Sequence, residues 1–109
     1  MLFISAEDFF DRAAEMHRMT REEEKCCAQK MAQGDTEARE RLILSYYPHA
    51  ASYVRRLPKE LQTLRAVYSF IAALEKGVDS FDFLQDRETF AHHLSWRMRQ
   101  CLTRCIAER

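Results

Sequence analysis

Glycine and proline are nearly missing from this chain, with two of each in 109 residues. These residues supply the backbone angles of tight turns, and a sandwich or barrel needs such a turn at every corner. An all-β architecture is therefore excluded, and helices joined by short connections are expected. No run approaches the roughly 20 apolar residues that cross a bilayer. The opening Met1-Leu-Phe-Ile-Ser-Ala-Glu-Asp8 turns acidic at once, without the basic then apolar layout of a secretory signal. Net charge is also absent, since 17 basic residues face 17 acidic ones. No global field draws the chain to a polyanion. Charge is only mildly sorted, from an acidic head over residues 1–50 to a weakly basic tail over 83–109.

Cysteine is present but poorly placed for crosslinks. Cys26 and Cys27 are adjacent, and Cys101 and Cys105 are four apart on a helix; neither spacing suits a disulfide within the pair. Reduced thiols and a cytoplasmic location are expected. There is no Cys-x-x-Cys pair and no Cys/His knuckle, so neither a metal nor a cofactor is expected. His92 and His93 point about 100° apart on a helix and do not easily share a ligand. The sequence holds no Ser/His/Asp order, no glycine-rich phosphate loop and no carboxylate pair with a plausible cleft. Neither an enzyme nor a small-molecule substrate is expected.

What is there is helical periodicity, read as one domain over residues 1–109. Ser5 caps a first helix of about three turns within residues 5–17, carrying Phe9, Phe10, Ala13, Ala14 and Met16. Thr20-Arg-Glu-Glu23 is a capping box that starts a second helix, which Gly34 ends. Asp35 caps a third, and Pro48 divides a near-continuous pair, 35–46 and 48–57. Pro58 opens the next, with Leu61, Leu64, Val67, Tyr68, Ile71 and Leu74 at helical spacing up to Gly77. Val78 to Asp86 is expected to be a loop whose Phe81 and Phe83 tuck under the bundle, and a last helix starts near Arg87. The fold class is all-α, a compact bundle of about five helices.

The last helix carries two stripes. Phe90, Leu94, Met98, Cys101, Leu102, Cys105 and Ile106 form an apolar one that should face the core. His93, Trp96, Arg97, Gln100, Thr103 and Arg104 form another. Guanidinium groups bind phosphates, amides and hydroxyls reach base edges, and a flat ring stacks on an unpaired base. The bland alternative is a solvated face that happens to hold a tryptophan.

The run Glu88-Thr-Phe-Ala-His-His-Leu-Ser-Trp-Arg-Met-Arg-Gln-Cys-Leu-Thr-Arg-Cys-Ile-Ala-Glu-Arg109 resembles the promoter-recognition helix of bacterial RNA polymerase sigma factors. That helix has an aromatic run followed by Trp-Trp-Ile-Arg-Gln-Ala-Ile-Thr-Arg. Phe81-Asp82 is similar to the dipeptide that precedes it. Met19-Thr-Arg-Glu-Glu-Glu24, Gly34-Asp35 and Ala38-Arg-Glu-Arg-Leu-Ile43 resemble the family's entry helices, and Tyr46-Tyr47-Pro48 is similar to the form in its extracytoplasmic-function branch. The resemblance covers roughly residues 19 to 109 and is to the promoter-melting domain, region 2. It implies a helical protein acting in transcription initiation on promoter DNA, together with RNA polymerase core or another transcription protein and no membrane. It places Gln100 and Thr103 against −10 bases, Trp96 and Arg97 where the family has a Trp pair wedged at the duplex edge, and His93 near a flipped base; the guanidinium groups of Arg97, Arg99 and Arg104 are expected on phosphates.

The family grips the polymerase clamp through Asp-Leu-Ile-Gln-Glu-Gly-Asn, which here falls on Arg65-Ala-Val-Tyr-Ser-Phe-Ile71. Carboxylates have given way to Arg65, Tyr68 and Ser69, so an altered partner-binding surface is implied. The family continues from here to its −35-reading helix-turn-helix; as a whole gene product the chain is expected to need a partner carrying that half or to be a regulator that borrows the fold, and as part of a longer chain it needs neither. The alternative reading is a degenerate sigma-like interaction module that binds another transcription protein and no DNA. A redox or metal sensor built on the cysteines is a distant third.

Overall fold

Each long helix begins where a side chain can accept from amides that have no partner in the first turn. The computed structural model describes residues 2–83 and 89–108, and the element order is α1 (Ala6–Ala14), α2 (Arg21–Ala32), α3 (Thr36–Ser45), α4 (Tyr47–Val54), a 3-10 turn (Lys59–Leu61), α5 (Leu64–Ser80) and α6 (Phe90–Ala107). Ser5 accepts from the Asp8 amide at 3.0 Å, Asp35 from Ala38 at 3.1 Å, Thr63 from Ala66 at 3.2 Å and Thr89 from His92 at 3.1 Å. Thr20 and Glu23 form the reciprocal capping box, each bond 3.1 Å. Such caps stabilise a helix by about 0.5–2 kcal/mol each.

At the end of α2, Gly34 takes φ +89°. Its amide donates to Met31 O and that of Asp35 to Lys30 O, which together satisfy the last carbonyls of the helix. Pro48 sits in the first turn of α4, where its missing N–H costs nothing. Only Tyr46 separates α3 from α4.

The architecture is an all-helical bundle, with no strand among the described residues. Among the described residues it has six α-helices, in keeping with the expected bundle of about five. Pro58 opens only the 3-10 turn, and α5 starts at Leu64. Gly77 does not end α5. A Cβ there would lie 3.3 Å from Arg97 Cδ and 3.5 Å from Leu94 Cδ1, so this glycine admits the close approach of α6. Residues 78–80 are accordingly helical rather than loop. The expected loop end at Asp86 and helix start at Arg87 lie outside the described residues; among those described, α6 begins at Phe90.

One continuous core runs through the bundle. Phe9, Leu42, Val54, Val67, Phe70, Leu74, Leu94 and Met98 are fully buried. The N-terminal segment is tied down by Phe3, whose amide donates to the Tyr68 hydroxyl at 2.9 Å and whose ring meets Phe9 edge-on at 5.1 Å. At the other end Phe81 is buried and Phe83 half-buried. Phe81, Phe83 and Tyr46 surround Phe90, with ring centroids 4.8–5.5 Å from it. Arg39 and Asp79 pair in bidentate fashion at 2.7 and 2.9 Å between α3 and α5. The hydrogen bond holds the Asp79 carboxyl below its ordinary value. The pair is open to solvent and stabilises the fold only weakly.

The core makes a direct prediction about α6. Leu94→Ala should cost about 2–5 kcal/mol in urea unfolding, because it opens a cavity in a fully packed site. Trp96→Ala, two residues along the same helix, should cost far less. Equal destabilisation by the two variants would contradict this rotation of α6.

Candidate nucleic-acid interface

The inward side of α6 decides what its outward side offers. Phe90, Leu94, Met98 and Cys101 are buried, and at 100° per residue their positions leave 96, 100, 103 and 107 facing away from the core. Trp96 is 51% exposed. Arg99, Gln100, Thr103 and Arg104 are exposed beside it, and with Ala107 these side chains line one shallow groove along the helix. The apolar stripe itself peels away from the bundle at its far end. Leu102 and Cys105 are half-buried and Ile106 is 36% exposed, so the expectation that Ile106 faces the core fails.

The polar groups of the groove have distinct commitments. The Thr103 hydroxyl donates to Arg99 O at 3.0 Å, leaving its lone pairs as acceptors. One Arg104 nitrogen lies 3.9 Å from Cys101 Sγ. Burial, and then the neighbouring Cys105, push the Cys101 thiol up to about 11. Among the described residues, no three His, Cys, Asp or Glu side chains converge as a metal-ligand group.

His93 and Arg97 do not join the groove. Arg97 Nε–H donates to His93 Nε2 at 3.2 Å, and its Nη2 donates to Ser80 Oγ at 3.0 Å. The stem of Arg97 lies over Gly77, and the His93 ring stacks obliquely on Phe81 at 5.1 Å. Both side chains are half-buried and turned toward the end of α5. The predicted DNA-facing set therefore divides: Trp96, Arg99, Gln100, Thr103 and Arg104 come together, while His93 and Arg97 brace α6 against α5.

The three residues expected to meet a partner also divide. Arg65 is exposed at the start of α5 and Ser69 half-buried one turn on, with the Ser69 hydroxyl donating to Arg65 O at 3.1 Å. They border a groove closed on its far side by Cys105 and Glu108 at the end of α6. Tyr68 instead faces the N-terminal segment, accepting from Phe3.

A further cluster has no counterpart among the residues predicted from sequence. His49 lies between two tyrosines, with Tyr46 edge-on at 6.1 Å and Tyr53 tilted at 5.4 Å. Its Nε2 is 3.4 Å from Ser95 Oγ on α6. Arg18 sits over the Tyr46 ring at 5.7 Å and Arg56 over Tyr53 at 4.3 Å. The spacing of His49 and Tyr53 on α4, with Arg56 in the turn that follows, is the signal that could have found it. Arg18 comes from a separate connection and could not be placed that way.

Burial holds the His49 imidazole below its ordinary value, with Arg18 and Arg56 adding to the effect. An unfolded histidine titrates near about 6.5, so below that pH the unfolded chain binds a proton that the folded chain resists. Stability that is complete above about pH 6.5 is therefore lost as pH falls through the folded value. Urea midpoints measured from pH 8 to 5 should fall more steeply for the parent than for His49→Gln; superimposable profiles would refute this origin.

No family model matches the chain, and no solved structure matches it. What it does has to be read from these side chains.

Proposed function

We propose that this chain is a sigma-like DNA-binding protein or domain that acts in transcription initiation in the cytoplasm. It recognises a −10-type promoter element together with RNA polymerase or a partner subunit. The reading rests on the resemblance of residues 19 to 109 to sigma region 2. The single observation that carries it further is the half-exposed Trp96 ring, set among Arg99, Gln100, Thr103 and Arg104 along one side of α6. Trp96 stacks on a base at the duplex edge, Gln100 and Thr103 meet base edges, and Arg99 and Arg104 hold phosphates. Arg97 and His93 act from behind, by fixing α6 on α5. This is a binding role, with no catalytic step assigned to any residue.

A second reading has its own observation. The groove bordered by Arg65, Ser69, Cys105 and Glu108 lies beside the exposed apolar end of α6, where Ile106 projects. That is a surface for a protein partner, and the degenerate interaction module would use it without touching DNA.

Trp96 is the one tryptophan in the chain, so its fluorescence reports on the proposed site directly. Adding a single-stranded oligonucleotide that carries a −10-type sequence should quench it. Trp96→Ala should weaken binding by about 1–3 kcal/mol, the usual worth of one stacked base, without altering the salt dependence. Arg99→Gln and Arg104→Gln should each flatten that dependence. Unquenched fluorescence and no binding at low salt, with a transcription protein still captured from the native host, would favour the interaction module.

A further inference from the structure

We infer that Arg18, His49 and Arg56 form a second phosphate-binding site, where α4 meets α6, which takes a backbone phosphate of the strand whose bases meet Trp96. The identity of the ligand rests on the proposed function of α6. The site itself rests on geometry.

Two guanidinium groups are held over two tyrosine rings, and those rings flank one imidazole. An arginine stacked on an aromatic face keeps its fork of N–H donors while losing some of its freedom, which suits it to a phosphate. Among the described residues neither Arg18 nor Arg56 forms an ion pair. Two carboxylates of α2 lie on this side: Glu24 accepts the Tyr46 hydroxyl, and Glu23, which lines a groove with Arg18, accepts the Thr20 amide. By contrast, Arg12 and Arg39 are both paired with aspartates. The guanidinium groups at His49 are thus without the carboxylate partners that those two arginines have.

The placement is also continuous with the groove on α6. Ser95 touches His49, and Arg99 stands one helical turn beyond Ser95 while lining the groove beside Trp96. A strand stacked on Trp96 would meet Arg99 next, then the pair of guanidiniums on the α4 side. Burial first, and then the two flanking cations, make this imidazole unfavourable to protonate. A phosphate supplies the negative charge that would offset them. The groups that act on His49 are Arg18, Arg56, Tyr46, Tyr53 and Ser95, with Glu24 behind Tyr46. Binding should therefore raise the pKa of His49 and take up a proton.

The test uses the full chain and two probes, a fluorescein-labelled single-stranded oligonucleotide and inorganic phosphate. Arg18→Gln and Arg56→Gln alter exposed side chains, and thermal melts establish that both variants fold. In each, the salt slope of oligonucleotide binding should fall, and in the double variant by about 0.7, the value of one phosphate on a single strand. The His49 ring signal in NMR should titrate upward when the parent binds. Trp96→Ala, included alongside, should weaken binding and leave the slope alone. If Trp96→Ala weakens binding but both arginine variants keep the parental slope and His49 does not respond, the second site is refuted and the reading of α6 survives. If the oligonucleotide does not bind but inorganic phosphate raises the pKa of His49, the anion site survives and nucleic acid is refuted as its source. No response to either probe overturns both.

Discussion

Leu94 and Met98 are sealed into the bundle without residual exposure, and that burial fixes the rotation of α6 about its own axis. Everything the helix offers to a partner follows from this setting. A turn by one residue position would bring Ser95 and Arg99 inward and push Leu94 and Met98 out. Exposing two such side chains costs about 1.5–3 kcal/mol each, and burying an unpaired guanidinium costs several kcal/mol more. The sum is comparable to the whole stability of a small domain. Gly77 eases the setting, because a Cβ there would press on Arg97 Cδ at 3.3 Å. Arg97 then locks it, bonded to His93 on its own helix and to Ser80 on α5.

Much of this is legible from the residues because it depends on local chemistry. Ser5, Thr20, Asp35 and Gly34 act within a few residues of themselves, so their roles as caps and stop can be read along the chain. The buried side of α6 is legible too, since its apolar residues repeat at helical spacing. Two misreadings share one cause. A glycine that ends a helix and a glycine that admits a neighbouring helix look the same in sequence, and Gly77 is of the second kind. A helical wheel likewise shows which residues share a side, and not where the next helix stops. For that reason His93 and Arg97 group with Trp96 in sequence, whereas the end of α5 draws them away. The cluster at His49 draws on three elements and has no single periodic signature.

Charge on this molecule is a matter of partners rather than totals. With a formal net charge of zero, long-range steering contributes little, and any polyanion must be held by contacts at short range. Arg12 and Arg39 are engaged by Asp8 and Asp79. The guanidiniums on the side of α6 and α4 rest instead on rings, helix or solvent. Arg18 and Arg56 stack on tyrosines, and Arg99 and Arg104 border the groove at Trp96. In the proposed reading, one side of a neutral protein can therefore hold several phosphates while the rest stays indifferent to DNA.

The inward turn of His93 bears on what such a protein could do to a duplex. Taking a base out of its stack costs a few kcal/mol, and stacking it on an aromatic side chain returns about 1–3 kcal/mol. A surface with several rings can offset that cost, but the groove on α6 offers a single ring, Trp96, because the His93 ring is held against Phe81 and Phe90. One ring is enough to hold a base that is already unpaired, and too little to unpair it. In the proposed reading, then, the melting itself falls to the polymerase or to a partner subunit, and this chain captures the strand that opening exposes. The same magnitudes explain why phosphate contacts would have to provide a large share of its affinity.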